Sequence, residues 1–129
     1  MGAAPLSLLS IAVGATLGAW LRWGLALWLN ARVDSLPLGT LAANLGGGFL
    51  IGIAVGVFQD LPGLAPEWRL LAITGFLGGL TTFSTFSAES MVLLQRGDYG
   101  WALLHCGTHL LGSVVLCIAG LAAWRAFSG

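Results

Sequence analysis

The chain has 129 residues, 57% hydrophobic and only 8% charged, with a formal net charge of zero and no lysine. Soluble domains carry about 25% charged residues, so lipid is the solvent for most of this chain. No basic patch marks a nucleic-acid surface. At about 20 apolar residues per span, roughly four spans fit, as one transmembrane domain over residues 1–129 with no soluble module.

The first apolar run predicts a helix over roughly residues 6–30. It lacks a charged n-region and is too long for a signal h-region, so it reads as a retained span. Within it lie the close-packing pair Gly14-x3-Gly18 and one cation, Arg22. Arg22 either snorkels to an interface or draws anions into a vestibule. Arg32, Asp34 and Pro37 mark the first loop.

The second helix is expected over 37–58, with Pro37 at its start, where a missing N–H costs nothing. Thr40, Asn44, Gly48, Gly52 and Gly56 recur every four residues. That spacing drifts only about 40° per step, so the stripe is small or polar from end to end. Gly48-x3-Gly52-x3-Gly56 is a doubled close-packing motif, serving packing within one chain or against a second copy. Asn44 is a membrane-depth amide, which must find partners and is a functional candidate.

QDLPGLAPE forms the second loop, since two prolines and a glycine end one helix and delay the next. The third span is expected over 68–95 and the fourth over 101–125, joined by the tight RGDYG turn. Trp28, Trp68, Trp101 and Trp124 fall near span ends, as interfacial aromatic belts do. Cys106 and Cys117 share the fourth helix about 16 Å apart, too far to form a disulfide.

Four spans place Arg69 and Arg125 on one side of the membrane and Arg32 and Arg96 on the other. Lys and Arg bias sets orientation, and here there is none. A chain without bias can insert both ways unless another feature fixes one orientation, and two opposed copies would then bury their glycine stripes against each other around a two-fold axis in the membrane plane.

The third span contains GFLGGLTTFSTFSAES, residues 75–90. Its glycines weaken a helix, and Thr81 and Thr82 compete for backbone hydrogen bonds, which predicts a break near 78–82. Irregular backbone at membrane depth survives only inside protein or against a wet cavity. The freed carbonyls are satisfied either by threonine hydroxyls and neighbouring helices or by a small hard cation, which takes oxygen ligands. Phe83 and Phe86 share a helical face, and aromatic ring edges are electropositive. With Thr82, Ser84 and Thr85 as hydroxyl donors, that face suits an anion, whereas plain core packing explains the rings alone.

GFLGGLTTFSTFSAE, with GATLGAWLRW in the first helix and GTLAANLGGGFLIG in the second, resembles the Fluc (CrcB) family of fluoride channels over the whole chain. The resemblance implies an all-α antiparallel dual-topology homodimer in the bacterial plasma or inner membrane, with two pores that export cytoplasmic fluoride and relieve its toxicity. It implies a structural sodium ion at the dimer centre, held by backbone oxygens matching Gly78 and Thr81. The pore phenylalanines match Phe83 and Phe86, the vestibule asparagine matches Asn44, and Glu89 matches an acidic position that pairs with an arginine or moves as anions pass. Thr40 and Arg22 join the vestibule, while Ser84, Thr85 and Ser113 extend the fluoride path.

Two features depart from the family pattern. Trp23 follows Arg22 where tyrosine is expected, and the fourth helix carries His105 and His109 on a stripe with Ser113 where tyrosine or hydroxyl residues are expected. The two histidines donate hydrogen bonds to neighbours or anions. A metal at their i, i+4 spacing lacks an evident third ligand in the sequence. The alternative function, a small multidrug-resistance-type exporter, needs a buried acid in the first helix, which has Arg22 instead. No nucleophile–base pair or nucleotide loop suggests an enzyme.

Overall fold

The computed structural model describes residues 3–129. Four stretches, Ala4–Arg32, Leu38–Asp60, Pro66–Gln95 and Tyr99–Ser128, are helical, long and apolar enough to cross a membrane. We label the helices α1 (Ala3–Leu29), α2 (Leu38–Asp60), α3 (residues 66–80), α4 (Phe83–Gln95) and α5 (Tyr99–Ser128).

The ends differ from the sequence expectation by a few residues, for local reasons. α2 runs on through Asp60, whose Oδ2 accepts a 2.8 Å hydrogen bond from Trp124 Nε1 on α5. α3 starts at Pro66, in the first turn that proline tolerates. α2 opens with unpaired amides, as every helix does, and Asn30 Oδ1 accepts two of them, from Gly39 at 2.7 Å and Thr40 at 3.2 Å. The chain turns after α4 through Gly97, at φ 78°, the left-handed conformation that glycine adopts at helix C-termini.

Two glycine seams hold the bundle. α1 packs on α3, with Gly14 against Gly75 and Phe76, and Gly18 against Phe76 and Leu80. α2 packs on α5, with Gly48 against Ser113, Gly52 against Cys117 and Leu121, and Gly56 against Trp124. Without a hydrophobic driving force between helices in lipid, such close backbone approach supplies the packing energy. The stripe of α2 is therefore used inside one chain. The idea that two copies bury these stripes against each other is corrected: α5 already covers them. A Cβ at Gly52 would come within 2.9 Å of the Leu121 amide nitrogen and closer still to the Cys117 carbonyl, and backbone cannot swing aside. Gly52→Ala is expected to cost about 1–3 kcal/mol, read as a lowered thermal midpoint in detergent. Gly24→Ala, whose Cβ meets nothing within 4 Å, is expected to show no such loss.

Two segments wind more widely, with π-type hydrogen bonding, Leu70–Leu77 in α3 and Thr108–Gly112 in α5. Such bulges are frequent at functional sites. They lie beside the residues described next.

Candidate functional site

α3 ends at Leu80, and Thr81 (φ −84°, ψ 156°) and Thr82 (φ −151°, ψ 121°) are extended before α4 begins at Phe83. Their polar groups are met from three directions. Thr81 Oγ1 donates back to the Leu77 carbonyl at 2.9 Å, and Thr82 Oγ1 accepts the Thr85 N–H at 3.1 Å as an N-cap. Asn44 reaches across from α2 and pairs with the Thr82 peptide on both sides: Oδ1 accepts its N–H at 2.7 Å and Nδ2 donates to its carbonyl at 3.0 Å. Arg22 Nε donates to the Gly79 carbonyl at 3.1 Å, which places a cation at the C-terminal end of α3, where the helix dipole favours one. Sequence reasoning had offered Arg22 an interface or a vestibule, and missed this contact. Only a lone cation within an apolar helix signalled that a partner was needed.

The break releases the carbonyls of residues 78–81 from the helical ladder, and Arg22 meets that of Gly79. The Thr82 N–H, which an unbroken helix gives to Gly78, goes to Asn44. The Thr85 N–H, which it gives to Thr81, goes to Thr82 Oγ1. The oxygens of Gly78 and Thr81 are therefore left without those helical partners. Gly78 is also exposed on the single chain.

A row of buried polar side chains runs beside this segment. Thr40 Oγ1 donates to Glu89 Oε2 at 2.6 Å, and Glu89 Oε1 lies 3.5 Å from His105 Nε2. The His105 and His109 rings meet edge-on with centroids 4.4 Å apart. His109 Nδ1 is 3.0 Å from Asn44 Nδ2. Phe86 packs against both histidines, at 5.2 and 4.6 Å between centroids. Thr40, His105 and His109 are 2%, 0% and 5% exposed. Among the described residues, every buried side-chain nitrogen or oxygen without a hydrogen-bond partner belongs to this row: Glu89 Oε1, both ring nitrogens of His105, and His109 Nε2. An unpaired buried polar group costs roughly 1–3 kcal/mol, so a row of them is built to meet something small and polar.

A cavity of about 510 Å³ opens alongside, lined by Asn44, Thr82, Phe83, Phe86, His109 and Ser113 with the glycine face of α2. These candidates are brought together. Phe83 and Phe86 touch, with centroids 5.5 Å apart, but their surroundings differ: Phe86 is half-buried on the histidines and Phe83 is 80% exposed. Ser84 is exposed, with Oγ 3.4 Å from Thr82 Oγ1, and neither Ser84 nor Thr85 lines the cavity. Glu89 sits with Thr40 and His105 rather than with an arginine. It is also the third possible ligand beside the two histidines, all three offering atoms within 4.8 Å of one another. The sequence hid it because sixteen residues separate Glu89 from His105.

The family model described as "CrcB-like protein, Camphor Resistance (CrcB)" matches residues 9–121. The chain is 62% identical over 121 residues to a protein of Cupriavidus pinatubonensis named fluoride-specific ion channel FluC, covering 94% of this chain and 96% of that one. A protein of the same name from Cupriavidus necator is 61% identical with the same coverage, and one from Pseudomonas putida is 56% identical over 95% of this chain and 97% of its own. Those names denote a channel and not an enzyme. With four spans and matches over nearly its whole length, this chain is a multi-pass membrane protein that belongs to the CrcB family.

Proposed function

We propose that the chain conducts fluoride, exporting it from the bacterial cytoplasm across the plasma or inner membrane. The observation that carries this reading is the buried histidine pair, His105 and His109, with ring nitrogens that have no protein partner, beside Phe86 and Asn44. The relatives' printed name supplies the ion. Fluoride is small and a strong hydrogen-bond acceptor. A pore must replace its water without trapping it, with sites that are weak or multiple. Neutral donors at His109 and Ser113, with His109 held by Asn44, and the ring edges of Phe83 and Phe86 meet that requirement; fixed cations at the same depth would hold the anion too long. Fluoride efflux from liposomes containing the purified protein, with chloride as control, tests the reading. Equal efflux of both ions, or none of fluoride, rejects it.

The working unit is an antiparallel homodimer with two pores. Gly78, Phe83 and Ser84 are exposed on the single chain beside two extended residues. Non-helical backbone at membrane depth must be covered by protein or face a wet cavity, and a second copy supplies both. The two-against-two arginine count supports opposed orientations. With Cys106 and Cys117 replaced by serine, a single cysteine at loop position Ser35 (Ser35→Cys) is expected to react with impermeant reagents from both sides of the membrane. Labelling from one side alone rejects dual topology.

The released carbonyls of Gly78 and Thr81, doubled across a two-fold axis, would hold one structural sodium ion between the copies. Its charge would offset converging carbonyl dipoles and support the anion path nearby. A heavier monovalent cation soaked into crystals of the dimer is expected to give a difference peak between the two interrupted spans; a map without one removes the ion.

A further inference from the structure

We infer that Asn44, pinned by the Thr82 peptide, locks His109 in the tautomer protonated on Nε2, so that His109 offers the anion a fixed neutral N–H donor and offers a metal no lone pair there. The backbone groups around Asn44 have roles that cannot be exchanged. A backbone N–H only donates and a backbone carbonyl only accepts. The side-chain atom 2.7 Å from the Thr82 N–H must therefore be Asn44 Oδ1, and the atom 3.0 Å from the Thr82 carbonyl must be Nδ2. The orientation of a side-chain amide is ordinarily an assignment; here the peptide dictates it. Nδ2 has one proton left, and it faces His109 Nδ1 at 3.0 Å. An NH2 group only donates, so Nδ1 accepts. A neutral imidazole carries one proton, which leaves it on Nε2.

The ring is held in that state. It is 5% exposed, against Phe86 on one side and His105 on another. Turning it over would put carbon in place of Nδ1 and strand the Asn44 proton. Nε2 then carries a buried N–H with no protein acceptor, a donor kept for a ligand.

The competing occupant of this place is a divalent metal on Glu89, His105 and His109, whose atoms are near enough. Ligation through His109 Nε2 needs its lone pair, which sends the proton to Nδ1. Two N–H donors would then face each other across 3.0 Å, and Asn44 cannot turn away without losing both bonds to Thr82. Asn44 is thus a positioning residue for His109. The inference rests on the fluoride reading for the identity of the anion, but not for the tautomer.

The test is nitrogen NMR of the reconstituted full chain labelled with 15N at histidine. The chain has two histidines, and His105→Gln leaves the His109 signals alone. His109 Nδ1 is expected to be unprotonated and Nε2 protonated in the absence of fluoride. Adding fluoride, and not chloride, shifts the Nε2–H resonance. Asn44→Asp, which puts an acceptor opposite Nδ1, draws a proton to that nitrogen. Zinc chloride leaves the Nε2–H signal in place. In efflux assays His109→Leu lowers fluoride flux about tenfold, as for one lost donor to a charged group, and His109→Gln, which keeps an N–H, recovers most of it. A wild-type ring protonated on Nδ1, or an Nε2–H displaced by zinc, overturns the lock whatever the efflux. A lock without a fluoride-specific shift overturns the donor role. Absent fluoride efflux with the tautomer intact instead overturns the channel reading and leaves the lock standing.

Discussion

Phe86→Ile is expected to lower fluoride efflux by at least about tenfold, the effect of roughly 1.4 kcal/mol on a barrier. The ring lies against both histidines, at 5.2 and 4.6 Å, and lines the cavity with Asn44 and Ser113. Isoleucine replaces a quadrupolar edge with methyl groups that offer an anion nothing. It is also smaller than phenylalanine and leaves a gap against the imidazoles, so His109 gains freedom to swing from its donor position. Phe83→Ile is the informative companion. Phe83 is 80% exposed on the single chain, so its truncation removes little packing within one copy. A matching loss of efflux there, with an unchanged size-exclusion profile, shows that the ring acts on the anion. Wild-type efflux in both variants, with chloride still excluded, means that the rings only pack.

Asn44→Asp is expected to have the largest effect, a loss of about two orders of magnitude or more in efflux. Three changes act together. The donor to the Thr82 carbonyl becomes a repelling oxygen, the acceptor now facing His109 Nδ1 draws the ring proton there and away from Nε2, and a negative charge enters the anion's path. Two like unit charges about 4 Å apart repel by roughly 4 kcal/mol even at an effective dielectric constant of about 20. The Oδ1 bond to the Thr82 N–H survives, which favours retention of the fold and lets size exclusion separate misfolding from loss of conduction. Efflux near the wild-type level in a folded Asn44→Asp variant would remove Asn44 from the path.

The sequence by itself determined the solvent, the number of spans and the family. Those follow from quantities that do not depend on packing: the scarcity of charge, the length of apolar runs, and a long motif read residue by residue. It also marked residues 78–82 as poor helix and Asn44 as an amide needing partners, because propensity and desolvation are properties of single residues. Only the tertiary structure decided who those partners are. Asn44 finds Thr82, thirty-eight positions away, and Arg22 finds Gly79, fifty-seven away. Glu89 finds Thr40 and His105 across three helices, with no arginine near. The same limit explains the glycine stripe. A four-residue repeat specifies a face that admits a close neighbour, but one helix cannot say which neighbour arrives. α5 takes that face with its own backbone at Ser113 and Cys117. Gly78, Phe83 and Ser84, beside the interruption, stay exposed on the single chain. Pairings of this kind depend on helix rotation and on the close approach of two backbones, which the order of residues along either helix does not encode.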